Sequence, residues 1–264
     1  MTDTQRTDGE GAVHLEIDAG IARVTFDRPQ ARNALTWPMY ERLRAICEQL
    51  RDDASVRVVR FAGAGGEAFV AGTDIAQFQG FDGEAGVQYE RRIDATVSLV
   101  AALPVPTVAM VQGWCIGGGL AIASACDFRL CTPGSKFGVP IARTLGNCLS
   151  VANVAGLVAA FGRPRVQRLL LLADLIGAEE AHACGYVLEV VPDEQLQATA
   201  AKLCGKLASL APVTQQVSKE ALNRLLRHAL PEAEDLIRRT YGSEDFREGV
   251  TAFLAKRPPV WKGR

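Results

Sequence analysis

The sequence predicts an αβ body followed by a purely helical tail. Three observations carry that prediction. Short apolar, β-branched runs alternate with segments of helical period between Val13 and Val191. From Asp193 onward only the helical period remains, over about seventy residues. And one stretch, Gly113-Trp114-Cys115-Ile116-Gly117-Gly118-Gly119 through Asp127, joins a buried strand to a buried helix by way of a glycine turn.

Composition sets outer limits. The chain has 264 residues, 48% hydrophobic and 22% charged, ordinary values for a soluble globular protein with one large core. Net charge is -1, with no basic stripe, which argues against a nucleic-acid partner. No apolar run is long enough to span a membrane, so no membrane partner is expected. Residues 1–12 are mostly polar, lack a signal peptide's apolar segment and read as a flexible arm. Residues 13–192 then form the body and 193–264 the helical tail. The seven cysteines are scattered without a Cys-x-x-Cys pair, and predict reduced thiols in a cytoplasm. His14, His182 and His228 lie far apart and show no metal-ligand spacing, so no metal site is expected.

The elements follow in order. Residues 13–17 and 21–26 alternate apolar and polar around Asp18-Ala19-Gly20, a β-hairpin pattern. A loop runs from Asp27 to Leu35. Thr36 then caps a helix reaching about Leu50, with Pro38 tolerated in its first turn and Leu43, Ile46, Cys47 and Leu50 as its apolar stripe. Residues 56–61 are a buried strand, 84–102 a helix, and 105–111 a second buried strand. Residues 120–126 are small and apolar on every face, as a short, fully buried helix must be. A strand over 128–131, an extended piece over 136–140 and a loop over 141–150 come next. Helices over 151–161, 164–172 and 178–184 lead to a last strand at 187–191. The tail divides into helices at about 193–209, 213–229, 231–241 and 243–255.

Two glycine stretches draw attention as sites. Glycines 117–119 free the backbone and let a ligand approach the main chain closely. The N–H groups that open the following helix have no partner within it, and the helix dipole adds partial positive charge there. Such a place can hold an anion, or an oxygen that becomes anionic during a reaction. Alone, a triple glycine would favour a turn needed only for tight packing. The second stretch runs from Ala62 to Ile75. Its first glycines lack the Lys-Ser/Thr of a phosphate loop and the spacing of a dinucleotide fingerprint. In its second half Gly72 permits a tight turn, Asp74 can cap the segment after it, and the Thr73 N–H points outward as a second candidate oxyanion donor.

Together these stretches resemble the crotonase superfamily, the enoyl-CoA hydratases and isomerases. The matching text is Arg28-Pro-x-x-x-Asn33-Ala34-Leu35, Ala68-Phe-x-Ala71-Gly72-x-Asp74-Ile75, Gly117-Gly118-Gly119 and Asp127. It continues through Phe137-Gly138-x-Pro140, Ala178-Glu179-Glu180-Ala181, Gly185, Glu244 to Gly249 and Phe253-x-x-Lys256-Arg257. The resemblance covers nearly the whole chain from residue 13. It implies a spiral of ββα units with a C-terminal helical region that assembles a homotrimer or a dimer of trimers. It implies an acyl-CoA ligand, with CoA as part of the thioester substrate and no separately bound cofactor. By position, the thioester oxygen would lie between the N–H groups of Thr73 and Gly118. Arg32, Ala34, Ala71, Asp74 and Ile75 would lie along the CoA, with Phe253 and Lys256 meeting it from a neighbouring subunit.

The resemblance breaks where hydratases of the family carry two glutamates. Those positions are Ala121 and Ile141 here, and neither side chain can transfer a proton. Isomerisation, decarboxylation or C–C cleavage through an enolate then suits the chain better than two-glutamate hydration. A catalytically silent acyl-CoA binding protein is the alternative. Candidate polar residues for the acyl pocket lie in the 141–150 loop. Arg143 has the planar fork that suits a carboxylate, Asn147 can orient a water or carbonyl, and Cys148 is either a nucleophile or an inert thiol. Trp114 reads as core packing and Ser150 lacks a nucleophile's setting. Asp82, Glu84 and Glu90 read as a solvated helix start, with an acid carried on a mobile lid as the other possibility.

Overall fold

The computed structural model describes residues 11–264. The expected flexible arm falls almost entirely on residues outside the described ones, and the first strand opens at Ala12. Strands β1 (Ala12–Asp18) and β2 (Ile21–Asp27) form the predicted hairpin, paired from Ala12↔Asp27 to Asp18↔Ile21. Ala19 and Gly20 both take positive φ, 48° and 76°, the geometry that lets a two-residue turn follow the strand twist. Helix α1 (Trp37–Asp52) follows, with Pro38 in its first turn. It buries Met39, Tyr40, Leu43, Ile46, Cys47 and Leu50, the predicted stripe extended by one turn toward its start.

Three strand–strand–helix units come next. Strand β3 (Val58–Gly63) leads to β4 (Ala68–Val70) and then to α2 (Gly83–Ala101). Strand β5 (Thr107–Val111) leads to β6 (Trp114–Ile116) and α3 (Gly118–Ala125). Strand β7 (Phe128–Cys131) leads to β8 (Lys136–Gly138), the short turn α4 (Ile141–Thr144), and helices α5 (Val151–Phe161) and α6 (Arg163–Leu171). Strand β9 (Leu175–Gly177), α7 (Ala178–Ala183) and β10 (Glu189–Val190) close the body. The tail is α8 (Leu196–Ser209), α9 (Pro212–Arg227), α10 (Glu234–Tyr241) and α11 (Glu244–Leu254).

The first strand of each unit enters one sheet and the second strand another. The larger sheet has the order β1-β2-β3-β5-β7-β10, parallel from β2 onward, and the smaller has the order β4-β6-β8-β9. All five residues of β5 are buried, which explains its unbroken apolar run. Gly113 makes the passage from one sheet to the other possible. Its φ is 63°, and a Cβ there would lie 1.9 Å from the Glu67 carbonyl oxygen. The three-residue strands β4 and β6 escaped the sequence reading because they are too short to show a period.

The helical tail folds back onto the body; α8 packs Leu196, Ala200, Cys204 and Leu207 against the larger sheet, and two further joints lie on α9 and α10. Lys219 on α9 reaches the Val105 carbonyl at 3.0 Å and Asp127 Oδ2 at 2.8 Å. The same Asp127 oxygen accepts the Thr107 N–H at 2.7 Å. At the second joint α10 lies along α2, where a Cβ on Gly86 would collide with the Tyr241 ring at 2.2 Å. That contact carries Tyr241 into the centre of the molecule, with no exposed surface.

Candidate active site

The two glycine stretches meet. Asn33, completely buried at a positive φ of 57°, ties the first of them down. Its Nδ2 donates to the Ala64 and Ala68 carbonyls at 2.9 and 2.8 Å, and its Oδ1 accepts the Arg28 N–H. Leu35 then pairs with Thr73 as in a parallel sheet. The Leu35 N–H donates to the Gly72 carbonyl and the Asp74 N–H donates to the Leu35 carbonyl. This pattern turns the Thr73 N–H away from Leu35. Across from it Gly117, at φ 54°, opens α3, and a Cβ on Gly117 would come 3.7 Å from the Gly72 Cα. A Cβ on Gly118 would lie 3.5 Å from Thr73 Oγ1. Among the described residues neither the Thr73 N–H nor the Gly118 N–H donates to any protein acceptor.

The back of this cradle is polar and sealed. Thr73 Oγ1 shares hydrogen bonds with the Tyr40 hydroxyl at 2.8 Å and the Tyr89 hydroxyl at 2.9 Å. Burial pushes both phenols well above their ordinary range, so they stay neutral. The Tyr40 hydroxyl would sit 2.6 Å from a Cβ on Gly118, so position 118 admits only glycine with this tyrosine in place.

Beyond the cradle, α2 carries a second polar group. Glu90 is 2% exposed, not a member of a solvated helix start. Its Oε1 accepts the Tyr241 hydroxyl at 2.7 Å and its Oε2 accepts the Ser150 N–H at 3.1 Å. Burial raises its carboxyl to about 7 against the opposing pull of those two hydrogen bonds. One turn along, Asp94 Oδ1 accepts the Ser150 hydroxyl at 2.6 Å and Asn153 Nδ2 at 2.9 Å. Asp82 and Glu84, in contrast, do belong to an exposed helix start. Asp82 caps α2 through the Ala85 N–H, and Glu84 pairs with Arg238 at the surface.

A cavity of about 290 Å³ opens between α2, α3 and α5, closed by the end of α9. Asp94, Ala121, Ser124, Asn153 and Arg227 supply its polar edge and its floor, against apolar walls from Val97, Leu157 and Leu226. Ala121 thus faces an open space. A larger cleft, about 550 Å³, lies between residues 101–104 and α9 and contains no residue of the cradle.

The other candidates are distributed as follows. Arg32, at φ 51°, stacks over Trp114 at 5.8 Å, and its carbonyl accepts the Ala71 N–H. Ala34, Ala71, Asp74 and Ile75 line the same turn. Asp74 is occupied there, pairing with Arg28 at 2.8 Å and capping residues 75–78 through the Ala76 N–H. Asn147 donates to the Tyr241 hydroxyl at 3.2 Å, while its buried Oδ1 has no partner. Burial holds the Cys148 thiol up at about 11, which keeps it protonated and unreactive near neutral pH. Ile141 and Arg143 lie on α4, a helical turn where a loop was expected. Arg143 is exposed and makes no ion pair among the described residues. Phe253, near the end of α11, and Lys256, just beyond it, are both exposed.

Tyr40, Tyr89, Asp94, Tyr241 and Asn153 were not singled out from sequence. A signal existed for two of them. Tyr40 falls on the apolar stripe of α1, and Asp94 falls one turn from Glu90 on a face shared with Val97 and Ala101.

The chain matches the family model described as "Enoyl-CoA hydratase/isomerase" over residues 16–264. A crotonyl-CoA hydratase of Syntrophomonas wolfei is 31% identical, over 92% of this chain and 95% of that protein. A probable enoyl-CoA hydratase of Rhizobium meliloti is 34% identical, over 95% and 97%. Among solved structures, an enoyl-CoA hydratase/carnithine racemase from Magnetospirillum magneticum superposes with a TM-score of 0.78 at 34% identity, covering 96% of each chain. Methylmalonyl-CoA decarboxylase in complex with 2-nitronate-propionyl-CoA superposes with a TM-score of 0.87 at 25% identity, over 96% of this chain and 98% of that one.

Proposed function

Because the chain belongs to the enoyl-CoA hydratase/isomerase family, we propose that it binds an acyl-CoA thioester and stabilises its enolate between the N–H groups of Thr73 and Gly118. One observation carries this reading. Two backbone donors without protein acceptors belong to neighbouring residues at the start of a helix, a Cβ on Gly118 lying 3.5 Å from Thr73 Oγ1, with Gly72 and Gly117 beside them. A thioester oxygen placed there gains both hydrogen bonds, and gains more as it becomes an enolate. A donor of this kind is typically worth about 10²–10³ in rate. The donors are held fixed in advance, one by the Leu35 pairing and the other by α3, so no reorganisation is needed when charge develops.

Two-carboxylate water addition at the usual positions does not fit Ala121 and Ile141. Proton shifts along the acyl chain, or loss of carbon dioxide from a 2-carboxyacyl thioester, reach the same enolate without them. Methylmalonyl-CoA decarboxylase, by its name, is a protein of this fold with a reaction of the second kind. Arg32, Ala34, Ala71 and Ile75 line the turn along which the CoA would run. Phe253 and Lys256, exposed in one chain, would complete the CoA site from a neighbouring copy in a trimer or a dimer of trimers. The seven unpaired cysteines suit a reducing cytoplasm. The absence of carboxylates at 121 and 141 favours one other reading, that of an acyl-CoA binding protein without turnover.

The test is incubation with saturated, 2-enoyl, 3-enoyl and carboxyacyl CoA esters in deuterium oxide, read by mass spectrometry and paired with thermal melts. Deuterium at the α-carbon, or a new product mass, is the expected result. A rise in melting temperature with no exchange and no turnover would leave the binding protein as the function. No rise with any ester would remove both.

A further inference from the structure

We propose that Asp94 supplies the acid–base group that α3 lacks, a carboxylate delivered from α2 across the cavity toward the face of Ala121. The proposal rests on the enolate reading above. Asp94 and Ala121 line the same cavity, with Ser124, Asn153 and Arg227. Ala121 follows Gly118 by three residues, about 4.5 Å along the helix axis and on the same face. An acyl chain whose thioester oxygen sits at Gly118 therefore passes Ala121 with its first carbons. The methyl side chain there leaves room for a group reaching in from the opposite wall.

Asp94 is built to be that group. One oxygen, Oδ1, is locked by the Ser150 hydroxyl and the Asn153 amide. The other, Oδ2, has no hydrogen-bond partner among the described residues, and no ion pair closes on it, although Arg227 lines the same cavity. A carboxylate that holds its orientation with one oxygen and leaves the second free in a cavity beside the expected acyl chain can serve as a proton carrier. Burial raises the Asp94 carboxyl, opposed by the Ser150 hydroxyl and by the charge of Arg227, a direction that brings a carboxylate toward the proton affinity of a working base.

Glu90 is excluded from the role by the same criterion. Both of its oxygens are engaged, by Tyr241 and by the Ser150 N–H. It acts as a positioning residue. It fixes the backbone of Ser150, whose hydroxyl in turn fixes Asp94, and so turns α2 and the start of α5 into one bracket.

The step balances within the chain and its substrate. The Asp94 carboxylate takes a proton from the α-carbon. The C–H pair becomes the C=C of the enolate, and the carbonyl π pair moves to the oxygen held by Thr73 and Gly118. The Asp94 carboxylic acid then returns the proton to the α-carbon, or to the γ-carbon of a 3-enoyl chain, which moves the double bond into conjugation.

The test compares wild type, Asp94→Asn and Asp94→Glu on the same CoA esters in deuterium oxide, with ligand-induced melting shifts measured alongside. Asp94→Asn is expected to keep the melting shift and to lose exchange by about 10²–10⁴-fold. Asp94→Glu, which keeps the charge but moves it by about one bond length, is expected to fall at least about tenfold below wild type and to remain above Asp94→Asn. If Asp94→Asn does not fold, Asp94→Glu carries the test by itself, and exchange equal to wild type overturns the assignment. Undiminished exchange in a folded Asp94→Asn also overturns it while leaving the enolate reading intact. A wild-type protein that binds esters without exchange overturns the enolate reading first.

Discussion

Glu90 shows what burial does to a single side chain in this molecule. Its folded carboxyl titrates at about 7, above the ordinary value of 4.5, because desolvation outweighs the hydrogen bonds it receives. The folded state therefore binds this proton more tightly than the unfolded chain does. Below the unfolded value the group costs folding nothing. As pH rises from there to about 7, ionisation of the unfolded chain progressively favours unfolding, to a limit of about 3 kcal/mol at 1.36 kcal/mol per unit. Glu90→Gln keeps an acceptor for one partner and carries no charge. Urea titrations at pH 5 and pH 8 should show the variant gaining about 2 kcal/mol on wild type at the higher pH. A gap between the two proteins that is the same at both pH values would mean the carboxyl is not desolvated. Polarity alone made Glu90 look solvated in the sequence. Tyr241 encloses it, and Tyr241 lies 151 residues away.

The elements were largely legible, because each carries its own local signal. The hairpin alternates with period two, α1 and α2 carry apolar stripes, and β5 is apolar throughout. The cradle was legible too. Glycines at 72 and 117–119 advertise a backbone that ligands can approach, and the Asp74 cap was visible two residues from its target. The cavity was not, since α2, α3, α5 and the end of α9 each contribute one wall. Gly156 tests that cavity at the scale of one helix. It lies inside α5 with ordinary helical φ, lines the cavity, and a Cβ built on it meets no atom within 4 Å. Gly156→Leu should fold as well as wild type or better, since leucine is the stronger helix former by about 0.8 kcal/mol. It should still bind acetyl-CoA while losing affinity for longer acyl chains, a contrast that calorimetric titration of a chain-length series would read. Equal losses for all lengths would place the acyl chain elsewhere.

At the scale of the molecule, the tail does two things. It closes the site within the chain, through Tyr241 on α10 and Arg227 at the end of α9. It also leaves apolar surface uncovered. Val213, Val217, Leu222 and Leu225 on α9 are 59–75% exposed, an unusual density for one helix of a monomer. Light scattering at working concentration should give a mass of three or six chains. A mass of one chain would remove the neighbouring-copy role of Phe253 and Lys256. The sequence by itself determined the αβ body, the helical tail, the two glycine turns and the absence of carboxylates at 121 and 141. All of these are properties of neighbouring residues, or of one position. Only the tertiary structure decided that Thr73 and Gly118 are neighbours, that Glu90 is buried, and that Asp94 and Ala121 line one cavity. Those facts depend on which helices pack together, and packing joins residues whose separation in the chain carries no period to read.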